Sequence, residues 1–148
     1  MSKSSRRDPF LNNRFIVEIA DVNQVTFTEV IFPESESNVI EHREGNDKDI
    51  IMRKQSGLTT NSCLILKGGL TGSMELYNWR KLVEQGKVSS ARRKITITLL
   101  DEENRPAAKW EFTNAWPSKY RGPDLNALAN DVAVETVEIV FESMQRVN

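Results

Sequence analysis

Apolar and polar residues alternate in short runs along most of the chain, and a period of two predicts strands. Phe15, Val17 and Ile19 alternate with Arg14, Ile16, Glu18 and Ala20, which predicts a half-buried strand over residues 13–20. The run 22–32 (Val22, Val25, Thr26, Phe27, Thr28, Val30, Ile31, Phe32) is rich in β-branched and aromatic residues and predicts a second strand. Pro33 ends it, because proline has no N–H for a ladder. Residues 61–67 are apolar on both faces, Leu64 and Leu66 against Cys63 and Ile65, so this strand should be covered on both sides. Ile95, Ile97 and Leu99 alternate with Lys94, Thr96 and Thr98, and Asp101-Glu102-Glu103-Asn104 reads as a hairpin turn. The return strand runs from Ala107 to Ala115, with Trp110 and Phe112 opposite Lys109, Glu111 and Thr113, and Trp116-Pro117 closes it. Residues 117–130 read as a loop with at most a helical turn. The last strand, 131–145, puts Val137, Ile139 and Phe141 on one face and Glu138 and Glu142 on the other.

One stretch keeps a helical period. Leu76, Trp79 and Val83 form a stripe widened by Met74, Tyr77 and Leu82, which predicts a helix from Ser73 to Gln85. Ser73 is placed as N-cap, Glu75 lies in the first turn and Gly86 is placed as the stop. The expected fold is mainly β: an antiparallel β-barrel or sandwich of six to eight strands with one flanking amphipathic helix. No internal repeat or linker divides the chain, so residues 1–148 read as a single domain with a loose N-terminal arm over 1–9.

Residues 34–56 follow neither period. Six acids (Glu34, Glu36, Glu41, Glu44, Asp47, Asp49) and four bases (Arg43, Lys48, Arg53, Lys54) surround a few apolar residues, and Arg43-Glu44-Gly45-Asn46-Asp47 is a turn signal. A long hairpin with so little apolar surface buries little within its own domain. It is either a flexible loop or an arm that packs on another chain.

Composition narrows the function. Twenty Lys and Arg against twenty-one Asp and Glu give a net charge of −1, without the basic excess of a general nucleic-acid binder. Hydrophobic residues at 39% suffice for a core. The longest apolar run, Cys63–Leu66, is far short of the roughly 20 residues a membrane-spanning helix needs. The basic N-terminus has no apolar stretch behind it, so it does not read as a secretory signal. One cysteine, Cys63, permits no intrachain disulfide, and one histidine, His42, leaves little room for a zinc or histidine-based centre.

Candidate chemistry is sparse. Gly68-Gly69-Leu70-Thr71-Gly72 lies between strand and helix as a phosphate loop would, yet no Lys-Ser or Lys-Thr follows, and a tight turn is the better reading. Glu135, Glu138 and Glu142 could suggest paired carboxylates, but only Glu138 and Glu142 share a strand face, in a region that reads as solvated or interfacial. Cys63 reads as a buried structural thiol, Lys87 with Arg92-Arg93-Lys94 as a solvated basic face, and Trp79 and Trp110 as core. No feature argues for an enzyme, a cofactor or a metal.

Several ordered motifs are familiar together: Asp8-Pro9-Phe10, Phe27-Thr28-Glu29-Val30, Arg43-Glu44-Gly45-Asn46-Asp47, Leu66-Lys67-Gly68-Gly69-Leu70 and Leu76-Tyr77-Asn78-Trp79. The most specific is Trp110-Glu111-Phe112-Thr113-Asn114-Ala115-Trp116-Pro117, continuing into Gly122-Pro123, Leu125-Asn126-Ala127 and Val132-Ala133-Val134-Glu135. From Asp8 to Glu142 the chain resembles the tail-tube protein family of contractile phages and phage-like extracellular contractile injection systems. The resemblance implies a small β-barrel that forms hexameric rings stacked into a hollow tube, a structural and not a catalytic role. Implied partners are further copies of the chain, the sheath, baseplate and spike proteins, a tape-measure protein, and DNA or protein-toxin cargo in the lumen. Assembly in the producing bacterium's cytoplasm and a place in a virion tail or tail-like particle are implied too. The 34–56 hairpin would then be an inter-subunit arm, with contacts at Val39, Ile40, His42, Arg43, Glu44, Asn46, Asp47, Ile50, Ile51 and Met52. The alternatives are a baseplate-proximal ring joining tube to spike, or a monomeric ligand-binding or enzymatic barrel.

Overall fold

The computed structural model describes residues 8–22, 25–42 and 53–148, with backbone alone at 41–42 and 53–60. The chain forms β1 (Phe15–Ile19), β2 (Glu29–Ile31), β3 (Ser35–His42), β4 (Arg53–Asn61) and β5 (Leu64–Gly69). Helices α1 (Glu75–Glu84) and α2 (Val88–Ala91) follow, then β6 (Arg93–Leu100), β7 (Pro106–Arg121), β8 (Val134–Val140) and β9 (Ser143–Arg146). Seven strands form one antiparallel sheet in the order β1-β6-β7-β8-β5-β2, with β9 on β7; β3 and β4 form a separate two-stranded sheet. The larger sheet does not close, since β1 and β2 are its two ends. This is the expected mainly-β, barrel-like architecture.

The fold turns on β7. Its first half pairs with β6 and β9 and its second half with β8, so one strand serves both halves of the sheet. The β6 register slips between Arg93↔Ala115 and Ile95↔Phe112, and Asn114 sits in that slip at φ 49°. A bulge residue in the left-handed region bends and twists its strand, and asparagine tolerates that region better than most side chains. The Asn114 side-chain amide also donates to Glu142 Oε2 at 2.7 Å. The bend folds the two halves over one core: Ile95, Ile97 and Phe112 from one half, Leu64, Leu66, Val137 and Ile139 from the other. Phe32 meets Trp110 edge-on at 4.7 Å between ring centroids.

β7 runs on to Arg121, where the sequence pattern predicted a stop at Trp116-Pro117 and a loop from 117. Pro117 is accommodated because β6 has already ended beside it. The Pro117 carbonyl accepts from Arg80 Nη1 at 3.2 Å and so is engaged by a side chain of α1 and not by a ladder. Within a strand, N–H and C=O of one residue point the same way, so the missing donor falls where no ladder runs. The predicted strand 131–145 becomes β8 and β9, both paired along β7, with a register slip between Pro117 and Lys119 and a break at Phe141-Glu142. The register Trp116↔Val140 resumes in step as Thr113↔Ser143.

The second predicted strand shrinks to Glu29–Ile31. Val22, Val25 and Phe27 serve the core from a crossing segment outside the ladder. Gly68 and Gly69, read as a turn, lie inside β5; a Cβ at Gly68 would sit 2.7 Å from the Thr26 carbonyl oxygen. Glycine here permits a close backbone approach and not a turn.

Helix α1 starts at Glu75 and not Ser73. Met74 is its N-cap without a side-chain bond, and Ser73 Oγ accepts a longer bond from the Glu75 amide at 3.4 Å. Met74 and Tyr77 are exposed, leaving Leu76 and Trp79 as the buried stripe, with Leu82 and Val83 packed beside it. Gly86 ends the helix as expected. At φ 78° its N–H donates to Val83 O, while Lys87 N–H reaches Leu82 O, which satisfies the last carbonyls. The short α2 was not foreseen; its Ala91 carbonyl accepts from Trp79 Nε1 at 2.6 Å. The Asp101 turn is as predicted, with Asp101 Oδ1 accepting from the Glu103 and Arg105 amides at 2.9 and 2.8 Å.

Candidate assembly interface

The hairpin leaves the sheet at Glu34 and re-enters at Ser62, where the Ser62 amide donates to Glu34 O (3.0 Å) and the Glu34 amide to Ser62 Oγ (2.6 Å). Beyond that clasp β3 and β4 pair with each other from Ser35↔Asn61 to His42↔Arg53, with a slip between Ser37 and Val39. Neither strand pairs with the larger sheet. The ribbon is longer than the 34–56 span suggested, because its second strand continues to Asn61. Val39 is 64% exposed and Ile40 49%. Neighbouring residues on a strand face opposite ways, so both faces of the ribbon carry uncovered apolar surface.

Val39 and Ile40 are thus on the ribbon, and His42 is its last described residue on β3, placed by backbone alone. Arg43, Glu44, Asn46, Asp47, Ile50, Ile51 and Met52 lie outside the described residues, as do residues 1–7 of the predicted N-terminal arm. What the sequence reading missed is an exposed apolar turn at 125–132: Leu125 is 85% exposed and Leu128 98%. Two leucines without helical or strand period gave no pattern to find.

Two open grooves accompany these surfaces. One, of about 790 Å³, lies between Pro9, Phe10 and Leu11 and the β6–β7 turn. The other, of about 380 Å³, follows the unpaired edge of β1 beneath Val22, Val25 and Phe27. An unpaired strand edge offers free N–H and C=O groups to another strand.

The residues weighed for chemistry are spread apart. Glu138 pairs with Lys119 at 3.4 Å, and Glu142 faces Asn114 and Arg92. Glu135, expected in a solvated region, is buried and accepts from the Tyr120 hydroxyl at 2.8 Å. It lies on the same face of β8 as Val137 and Ile139, which point into the core. Burial first, then the neighbouring Glu135 carboxylate, push the Tyr120 hydroxyl up to about 12. Cys63 is half-buried just before β5 and not mid-strand as expected. In the basic run, Arg92 faces Glu142, Lys94 pairs with Glu111 at 3.3 Å, and Arg93 lies over the Trp79 ring. Trp79 is core, whereas Trp110 and Trp116 are half-buried against it. Among the described residues no three His, Cys, Asp or Glu side chains group as metal ligands would, and no helix is long and apolar enough to cross a membrane.

The family model described as T4-like virus tail tube protein gp19 matches residues 11–145. No curated protein matches the chain by sequence. Among solved structures, a chain of the PVC extracellular contractile injection system, in its extended sheath-tube complex, is 26% identical, with 94% of this chain and 93% of that one covered and a TM-score of 0.81. A chain of the anti-feeding prophage tube-terminating cap has a TM-score of 0.83 at 24% identity, covering 99% and 97%. Hcp1 from Flavobacterium johnsoniae shares the fold more distantly, at 15% identity, 90% and 94% coverage and a TM-score of 0.56.

Proposed function

The chain belongs to the T4-like virus tail tube protein family, and on that premise we propose that it is the inner-tube subunit of a contractile tail or injection particle. Six copies form a ring and rings stack into a hollow tube. The observation that carries this reading is the β3–β4 ribbon, which pairs with no strand of the larger sheet and exposes Val39 and Ile40. Uncovered apolar surface on both faces of a ribbon is a liability in a monomer and a contact in an assembly.

In this reading the whole chain acts as one tail-tube domain, and the arm reaches a neighbouring subunit. Val39, Ile40, Ile50, Ile51 and Met52 supply its apolar contacts, while His42, Arg43, Glu44, Asn46 and Asp47 set register. The role is structural, without catalysis or cofactor. The sheath-tube complex of the PVC relative supports a sheath as outer partner, and the baseplate of the anti-feeding prophage, a fold neighbour, supports a baseplate below. A tape-measure protein, cargo in the lumen and assembly in the producing cell's cytoplasm complete the proposal.

Negative-stain microscopy of the purified chain tests it. Long tubes of stacked hexameric rings are expected, and deletion of residues 42–49 should leave rings that no longer stack. Ordered long tubes from the deletion would refute the arm's role. Rings of the intact chain that never polymerise would assign it to the tube's end at the baseplate, and a stable monomer would refute assembly altogether.

A further inference from the structure

We infer that the exposed turn at Leu125 and Leu128 is the seat on which the β3–β4 arm of a second copy rests. The inference builds on the tube reading above and names the receiving surface it leaves open. Strand β5 sets the geometry. At its Leu64 end lies the clasp between Glu34 and Ser62 from which the arm departs. At its other end Gly69 pairs with Val134, and the Leu70 amide donates to Ala133 O at 2.8 Å, which anchors the 122–133 segment there. Arm and turn therefore sit at opposite ends of the same strand, roughly 17 Å apart along it.

The turn is held outward by its own bonds. Asn126 Oδ1 accepts from the Leu128 amide at 3.0 Å, and the Ala129 amide donates to Asn126 O at 3.1 Å. Two leucines fixed almost wholly in solvent match, in chemistry, the uncovered Val39 and Ile40 of the ribbon. Leu128, 98% exposed, and Val39, 64% exposed, do not cover each other within one molecule. They meet between copies in a head-to-tail contact, which closes a ring where its rotation closes and otherwise repeats along an axis; in the tube reading it repeats between stacked rings. A second copy is the occupant that this polarity selects.

Paired cysteines test the contact. In a Cys63→Ser background, Val39→Cys with Leu128→Cys reports contact between copies, because Leu128, 98% exposed, is covered by no described residue of its own chain and a disulfide needs Cα atoms within about 7 Å. Mild oxidation of assembled tubes should give a non-reducing ladder of linked multimers, while each single cysteine gives dimers at most. In parallel, Leu125→Ser with Leu128→Ser should shorten tubes by at least about tenfold and leave monomer melting unchanged, as expected for exposed sites. Leu125→Met with Leu128→Met should restore length. Wild-type tube lengths from the serine variant, or tubes that yield no ladder, would overturn the inference and leave the tube reading intact. An intact chain that forms no tubes would overturn both.

Discussion

The Tyr120 hydroxyl donates to Glu135 Oε2 across 2.8 Å, linking β7 to the one carboxylate that is buried among the described residues. The bond spans the β7–β8 pair near Arg121↔Thr136, just before the chain leaves the sheet for the 122–133 segment. Tyr77 on α1 meets the same Tyr120 ring edge-on at 5.9 Å, so helix, strand and carboxylate share one contact.

Tyr120→Phe should therefore cost about 1–3 kcal/mol, because it removes a donor from a buried oxygen and puts nothing in its place. Urea unfolding at neutral pH measures this. The wild type also carries a pH signature. Its Tyr120 hydroxyl titrates at about 12 in the fold against an ordinary 10.0. The fold thus retains a proton that the unfolded chain gives up. This contribution is fully present below pH 10 and is lost as pH rises through about 12. Tyr120→Phe should flatten that part of the alkaline stability curve.

Gly68→Ala should destabilise by about 1–3 kcal/mol, the usual range for forcing atoms into a packed interior. The added Cβ meets backbone, the Thr26 carbonyl at 2.7 Å, and not the yielding end of a side chain. The crossing segment that carries Phe27 must then lift from β5. A lowered melting temperature checks the cost, and faster amide exchange at Thr28, whose N–H bonds Lys67 O, locates it.

Asn114 is a test of backbone conformation. At φ 49° a β-branched side chain is strained, so Asn114→Val should cost about 1–2 kcal/mol. Asn114→Gly should cost less, since it keeps the bend and loses only the exposed bond to Glu142. Equal losses in chemical unfolding would show that the side-chain bond, and not the bulge, matters.

Trp79→Phe should cost about 1–3 kcal/mol through the unpaired Ala91 carbonyl, and Trp79→Ala about 3–5 kcal/mol by adding a cavity. Circular dichroism through a urea titration distinguishes the two. The ring is 1% exposed and joins α1 to α2, so the helical signal should weaken first.

Much of this protein can be read from its residues in order. Strand alternation at β1, β6 and the first half of β7, the Asp101 turn, the Leu76–Trp79 stripe and the Gly86 stop are local matters of period and backbone preference, and the structure keeps each of them. The ordered motifs also led to the tail-tube family, which the model match over 11–145 bears out. What the sequence alone left undecided depends on neighbours distant along the chain. Pro117 stays in a strand because β6 ends beside it, Gly68 is a point of close approach because Thr26 crosses there, and Glu135 can be buried because the Tyr120 hydroxyl reaches it diagonally from β7. The surfaces at Val39, Ile40, Leu125 and Leu128 belong to the same class: exposure is a property of the packed whole. Periodicity reports which face of an element is apolar, but only the tertiary structure decides whether anything in the same molecule covers it.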